Sequence, residues 1–207
     1  MKNRTRILCY GDSNTWGFNP MNGTRFPDHI RWPGVLRKCL GDGCRIVEDG
    51  LNGRTLGSYS MEGNPLNGSE HIFTLLRAYG GPDILVLYLG INDIFSGSIE
   101  GVSSIVFELE EVIEKINRLY ASLRIILLAP LPVNPGTVYA SGYGSENDRS
   151  IGLSAEFKQV AVRYGSLFVE TSKVITASPI DGVHIDSENH INLGKHVCAL
   201  IKTLLLE

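Results

Sequence analysis

The chain has 207 residues, of which 43% are hydrophobic and 20% charged, with a formal net charge of −3. At this length roughly 70% of the unfolded surface can be buried, so a core forms without metals or disulfides. The balanced charge, with no long run of one sign, argues against nucleic acid or an anionic membrane surface as partner. No apolar stretch approaches the roughly 20 residues needed to span a bilayer.

In chain order, the first apolar run is Arg6 to Tyr10. It breaks at Gly11-Asp12 before a signal-peptide core forms, which predicts a cytoplasmic protein. A helix is expected from Arg31 to Leu40, then a strand from Arg45 to Asp49 and a helix from Gly68 to Tyr79. The runs Asp83 to Gly90 and Arg124 to Pro130 are apolar almost throughout, as strands covered on both faces are. Between them, Ser103 to Leu123 carries Val106, Leu109, Val112, Ile113, Ile116 and Leu119 at steps of three and four, an amphipathic helix. A helix from Ile151 to Tyr164, a strand from Ser166 to Glu170 and a helix from Ser187 to Leu206 complete the pattern. Long irregular stretches run from Gly17 to Ile30 and from Leu131 to Asp148.

Repeated strand–helix units with right-handed crossovers give a three-layer α/β/α sandwich, and five units are too few for a closed barrel. Residues 1–207 read as one domain. The four cysteines show no CxxC spacing and are expected to be reduced, although the turn at Gly41 to Gly43 brings Cys39 and Cys44 near each other.

In an open parallel sheet, ligands bind beyond the carboxyl ends of the strands. After the first strand, Gly11-Asp12-Ser13 puts Ser13 on a tight turn, where it is either a helix cap or an exposed nucleophile with its own N–H aimed at a developing oxyanion. After the second, Asn52-Gly53 is first of all a turn signal, but the glycine also lets a backbone N–H approach a ligand. After the third, Asn92 of Gly90-Ile91-Asn92-Asp93 is either a loop-stabilising side chain or an uncharged oxyanion donor. Before the last helix, Asp181 lies three residues ahead of His184, a spacing that lets the carboxylate reach Nδ1 and leaves Nε2 for a serine. His190 and His196 read as structural. Asp12, Trp16, Phe18, Ile94, Phe95 and Val183 flank these blocks and are expected to line a modest, mostly apolar substrate pocket.

Together, GDS at Gly11 to Ser13, the glycine at position 53, GxND at Gly90 to Asp93 and DxxH at Asp181 to His184 resemble the blocks of the SGNH or GDSL-type hydrolase family. GDSNTWG, RWPGVL, EDGLNGRT and DGVHIDSENH are most similar to its bacterial arylesterase and acyltransferase group. The resemblance implies a flavodoxin-like sheet of order 2-1-3-4-5, a triad of Ser13, His184 and Asp181, and an oxyanion hole from Ser13, Gly53 and Asn92. It further implies a serine esterase acting on short-acyl or aryl esters through an acyl-enzyme, with acyl transfer to alcohols as a companion reaction and carbohydrate acetyl esters as the alternative substrates. The small ester is the expected partner, no cofactor is expected, and the long loops with the resemblance point toward a homo-oligomer. Two residues depart from the family pattern: Asn14 stands where GDSL has leucine, and Glu48 where many members have asparagine. A metal-dependent phosphohydrolase using Asp12, Asp93, Asp181, His184 and Asp186 is the main rival, but it leaves Ser13 idle and lacks HxH or HExxH spacing. A non-catalytic binding module is the other; no GxxxxGK or GxGxxG string supports nucleotide binding.

Overall fold

The computed structural model describes residues 4–57, 64–95, 101–134, 136–137 and 144–206, with the side chains of 144–149 excepted. Five strands form one parallel sheet: β1 (Thr5–Gly11), β2 (Cys44–Gly50), β3 (Ile84–Tyr88), β4 (Arg124–Leu128) and β5 (Leu167–Val169). Their order is β2-β1-β3-β4-β5. Among the described residues seven α-helices accompany them: α1 (Ser13–Trp16), α2 (Trp32–Leu40), α3 (Gly68–Ala78), α4 (Ile91–Phe95), α5 (Val102–Leu119), α6 (Gly144–Tyr164) and α7 (Ser187–Leu204).

The alternation of side chains along a strand divides the core in two. Leu85 and Leu87 of β3 join Leu109 and Ile113 of α5 and Phe157 of α6 on one face. Ile84, Val86 and Tyr88 join Trp32 and Leu36 of α2 and Leu193, Val197 and Ile201 of α7 on the other. Each fully buried aliphatic side chain contributes about 1.5–3 kcal/mol by leaving water, and Ile84 to Leu87 of β3 are all of this kind. This is the three-layer α/β/α arrangement and strand order expected. Among the described residues no helix is long and apolar enough to cross a membrane.

Several local expectations are corrected. On α5 the core stripe is Ile105, Leu109, Val112, Ile113 and Ile116, while Leu119, the last residue of the helix, is exposed. The helix expected from Ile151 begins at Gly144, so the loop after β4 is shorter than Leu131 to Asp148; residues 135 and 138–143 of it lie outside the described residues. The cysteines are not all reduced. Cys39 and Cys198 form a disulfide, with Cα atoms 6.3 Å apart, tying α2 to α7, while Cys9 and Cys44 are free and buried. The partners are separated by 159 residues, a pairing made by helix packing that no local spacing reveals.

At the other end of this seam, His190 of α7 is fully buried, and the Trp32 N–H donates to its Nδ1 over a long 3.4 Å. Burial, then the nearby positive charge of Arg31 and His184, pushes its pKa down from 6.5 to about 3. Between these values the unfolded chain binds a proton that the folded chain refuses, so this contribution to stability is lost as pH falls from 6.5 towards 3. His190→Asn keeps an acceptor for Trp32 and removes the titration. Relative to the parent, the variant's urea-unfolding stability should improve on acidification through that window by up to about 1.4 kcal/mol per pH unit. A stability difference constant with pH would contradict the assignment.

Candidate active site

The order 2-1-3-4-5 places the chain's topological switch beside β1, where the connections from its carboxyl end and from that of β3 depart to opposite faces. Ser13 follows β1 and Asn92 follows β3. Both stand at this crevice. The turn after β1 is held from two sides. Asp12 caps α1, its Oδ1 accepting the Asn14 N–H at 2.8 Å. Beneath, Gly50 at the end of β2 lets the α1 backbone pack directly on it: a Cβ there would lie 2.1 Å from the Trp16 nitrogen. As the first residue of α1, Ser13 has an N–H with no acceptor inside the helix.

On the other side of the crevice, the loop Ser178 to Asp186 folds back on itself. Ser178 N–H donates to the His184 carbonyl at 2.7 Å, and Asn134 N–H donates to the Gly182 carbonyl at 2.8 Å. Within it, Asp181 Oδ2 lies 2.7 Å from His184 Nδ1, and its Oδ1 accepts the N–H groups of Val183 (3.0 Å) and His184 (2.9 Å). His184 Nε2 then lies 3.0 Å from Ser13 Oγ. Partial burial alone raises the Asp181 pKa, but the hydrogen bonds from the His184 ring and the two N–H groups outweigh it and hold the carboxyl below its ordinary value. An ionised Asp181 fixes Nδ1 as the protonated nitrogen and leaves the Nε2 lone pair facing the hydroxyl. Hydroxyl, imidazole and carboxylate thus stand in series, with a base beside a nucleophile.

The third component is built from two loops bolted together. Asn92 Nδ2 donates to the Arg54 carbonyl at 2.9 Å, which fixes the carboxamide and leaves its second N–H available. Asp93 accepts the Leu56 N–H at 2.7 Å and the Gly57 N–H at 3.1 Å. Gly53, at φ 76°, takes a backbone conformation that side chains disfavour. Buried Arg54 underpins both loops: its Nη1 donates to the carbonyls of Gly11 (3.0 Å) and Asp49 (2.9 Å) and pairs with Asp49 Oδ1 at 2.8 Å. Sequence reasoning missed Arg54, because a lone arginine after a turn reads as a surface charge. Its position directly after Asn52-Gly53 was the available signal.

The expected pocket residues divide. Asp12 and Ile94 are buried rather than exposed at a pocket surface. Asp12 is only 1% exposed and serves the α1 cap, where burial raises its pKa from 3.8 to about 7 against the pull of the Asn14 N–H and the His184 charge; Ile94 belongs to the core. Val183 is half-buried and also packs against that core. Trp16 is partly exposed, with the Arg25 guanidinium 5.4 Å from its ring centre. Phe18 is the residue nearest the chemistry: its ring centre lies 4.2 Å from that of His184. The loop carrying Phe18 is fastened by Glu48, which pairs with Arg25 at 2.7 Å and Arg31 at 2.6 Å, and this is what the departure from asparagine supplies. The rival metal reading finds its acids otherwise engaged, Asp12 and Asp186 as helix caps and Asp93 on two amides. Among the described residues no cluster of three or more His, Cys, Asp or Glu side chains could hold a metal ion.

A serine, an imidazole and a carboxylate in series at the switch point of an α/β/α sheet have the arrangement of a serine hydrolase. The chain belongs to the GDSL-like lipase/acylhydrolase family, whose model matches residues 9–192. Among solved structures it is similar to a carbohydrate acetylesterase family member from Sinorhizobium meliloti, with 27% identity, TM-score 0.88 and coverage of 98% of this chain and 100% of the other. It is likewise similar to a candidate arylesterase from Agrobacterium tumefaciens str. C58, at 28% identity and TM-score 0.84 over 96% and 99% of the two chains. The Mycobacterium smegmatis aryl esterase, at 24% identity, TM-score 0.84 and coverage of 97% and 99%, shares the fold. No protein of curated function matches the sequence significantly. The chain is an ester hydrolase.

Proposed function

We propose that this protein hydrolyses short-acyl carboxylic esters through an acyl-enzyme on Ser13. The observation that carries the reading is the series Ser13 Oγ–His184 Nε2–Asp181, at 3.0 and 2.7 Å. His184 takes the Ser13 proton as the oxygen bonds to the ester carbonyl carbon, giving a tetrahedral oxyanion. The N–H groups of Ser13 and Gly53 and the Asn92 carboxamide bind that charge. His184 returns the proton to the alkoxide as the C–O bond breaks, and water then repeats the sequence to release the acid. Acyl transfer follows when an alcohol replaces this water.

The S. meliloti neighbour is named for acetyl esters of carbohydrates, which supports a small acyl group, and the A. tumefaciens neighbour for aryl esters, which supports a variable alcohol. Phe18 supports the same preference, since its ring lies 4.2 Å from that of His184 and places an apolar group beside the base. Hydrolysis of p-nitrophenyl acetate, butyrate and octanoate tests it. We expect kcat/KM to fall by at least tenfold from acetate to octanoate, whereas an octanoate rate equal to or above that of acetate would reject the short-acyl reading.

A further inference from the structure

The second residue of α1 does more than fill space where GDSL has leucine. Asn14 is 3% exposed, and its side chain leaves the nucleophile turn for the opposite loop, where Oδ1 accepts the Ile185 N–H at 3.0 Å. Turn and loop are 171 residues apart in the chain. The His184 peptide is therefore pinned at both ends: its carbonyl by Ser178, and the N–H that follows by Asn14. Asn14 is itself held through its own N–H by Asp12.

We propose that Asn14 is a positioning residue, latching the Ser13 turn to the His184 loop so that imidazole and serine keep their register throughout turnover. The inference rests on the Ser13–His184 reading above. The direct bond between those two side chains cannot perform this task, because it is lost whenever the serine oxygen carries an acyl group. The Asn14–Ile185 bond involves no reacting atom and persists. It keeps Nε2 over the acyl carbon while water replaces the alcohol. A leucine has comparable volume but no acceptor, so it strands the buried Ile185 N–H and frees the loop to shift. A displacement near 1 Å at reacting groups costs up to about a hundredfold in rate.

The test compares the parent with Asn14→Leu, Asn14→Asp and Ser13→Ala on p-nitrophenyl acetate, with Ile185 amide exchange followed by NMR. In the parent, that amide should exchange slowly. In Asn14→Leu it should exchange faster, with kcat down ten- to a hundredfold and KM within about twofold. Asn14→Asp restores an acceptor oxygen and should recover kcat to within severalfold of the parent. The latch is overturned if the parent's Ile185 amide exchanges as fast as exposed loop amides. It is equally overturned if Asn14→Leu matches the parent's kcat, or if Asn14→Asp is as slow as Asn14→Leu. The Ser13→Ala enzyme separates the two ideas: if it is inactive while Asn14→Leu is fully active, only the latch fails, whereas parental activity in Ser13→Ala removes the serine reading itself.

Discussion

A Ser13→Ala enzyme is expected to fold normally and to lose kcat by roughly 10^4- to 10^6-fold, by comparison with other serine hydrolases. The size of the loss follows from the division of labour at the site. His184 Nε2 points at the hydroxyl 3.0 Å away, and Asp181 serves only that imidazole. Without the hydroxyl, base and carboxylate have no proton to move, and what remains is the oxyanion donors acting on attack by water. Stability should change little. Ser13 Oγ bonds only to the partly exposed His184 ring among the contacts described, so the alanine strands no fully buried partner. Thermal unfolding alongside kcat on p-nitrophenyl acetate checks both halves, and a rate within tenfold of the parent would remove Ser13 from the chemistry.

The second large effect is expected at Asn92. Its replacement by alanine should lower kcat by about 10^2- to 10^3-fold, equivalent to about 2.7–4 kcal/mol of transition-state stabilisation, with KM nearly unchanged. The carboxamide is preoriented by its bond to the Arg54 carbonyl, so its remaining N–H binds developing charge without reorganising. Asn92→Asp sharpens the prediction. It preserves shape but replaces the donor with an acceptor and brings a negative charge towards the oxyanion, so its loss should equal or exceed that of alanine. If Asn92→Ala keeps the parent's kcat, the oxyanion is held by backbone N–H groups alone.

What the sequence discloses is set by the range of the forces involved. Strands such as β3 and helices such as α5 advertise themselves, because burial on one or two faces imposes a period on neighbouring residues. That Ser13, His184 and Asp181 come together is legible for a related reason: they lie just beyond a strand or shortly before a helix, where an open parallel sheet gathers its ligands. The short helices α1 and α4 have only four and five residues and complete hardly more than one turn, so no period marks them. Asp12 and Ile94 were expected at the pocket because they neighbour site residues in the chain. Yet adjacent side chains on a helical turn point in different directions, and these two point inward.

Long-range partners were the least legible. The Cys39–Cys198 bond, the grip of Glu48 on Arg25 and Arg31, and the Asn14–Ile185 contact all join segments that only the finished fold brings together. At positions 14 and 48 the departure from the family pattern did flag a local difference. Its meaning appeared only with the partner: a backbone N–H for the amide, and a loop of arginines for the acid.

The central claim, that Ser13 is the nucleophile, is tested most directly by treating the protein with a fluorophosphonate and locating the adduct by mass spectrometry. The account predicts one equivalent of phosphonyl group on the peptide containing Ser13, loss of esterase activity in step with labelling, and no adduct in Ser13→Ala. An active enzyme that remains unlabelled at Ser13, or one inactivated through a different residue, would contradict it.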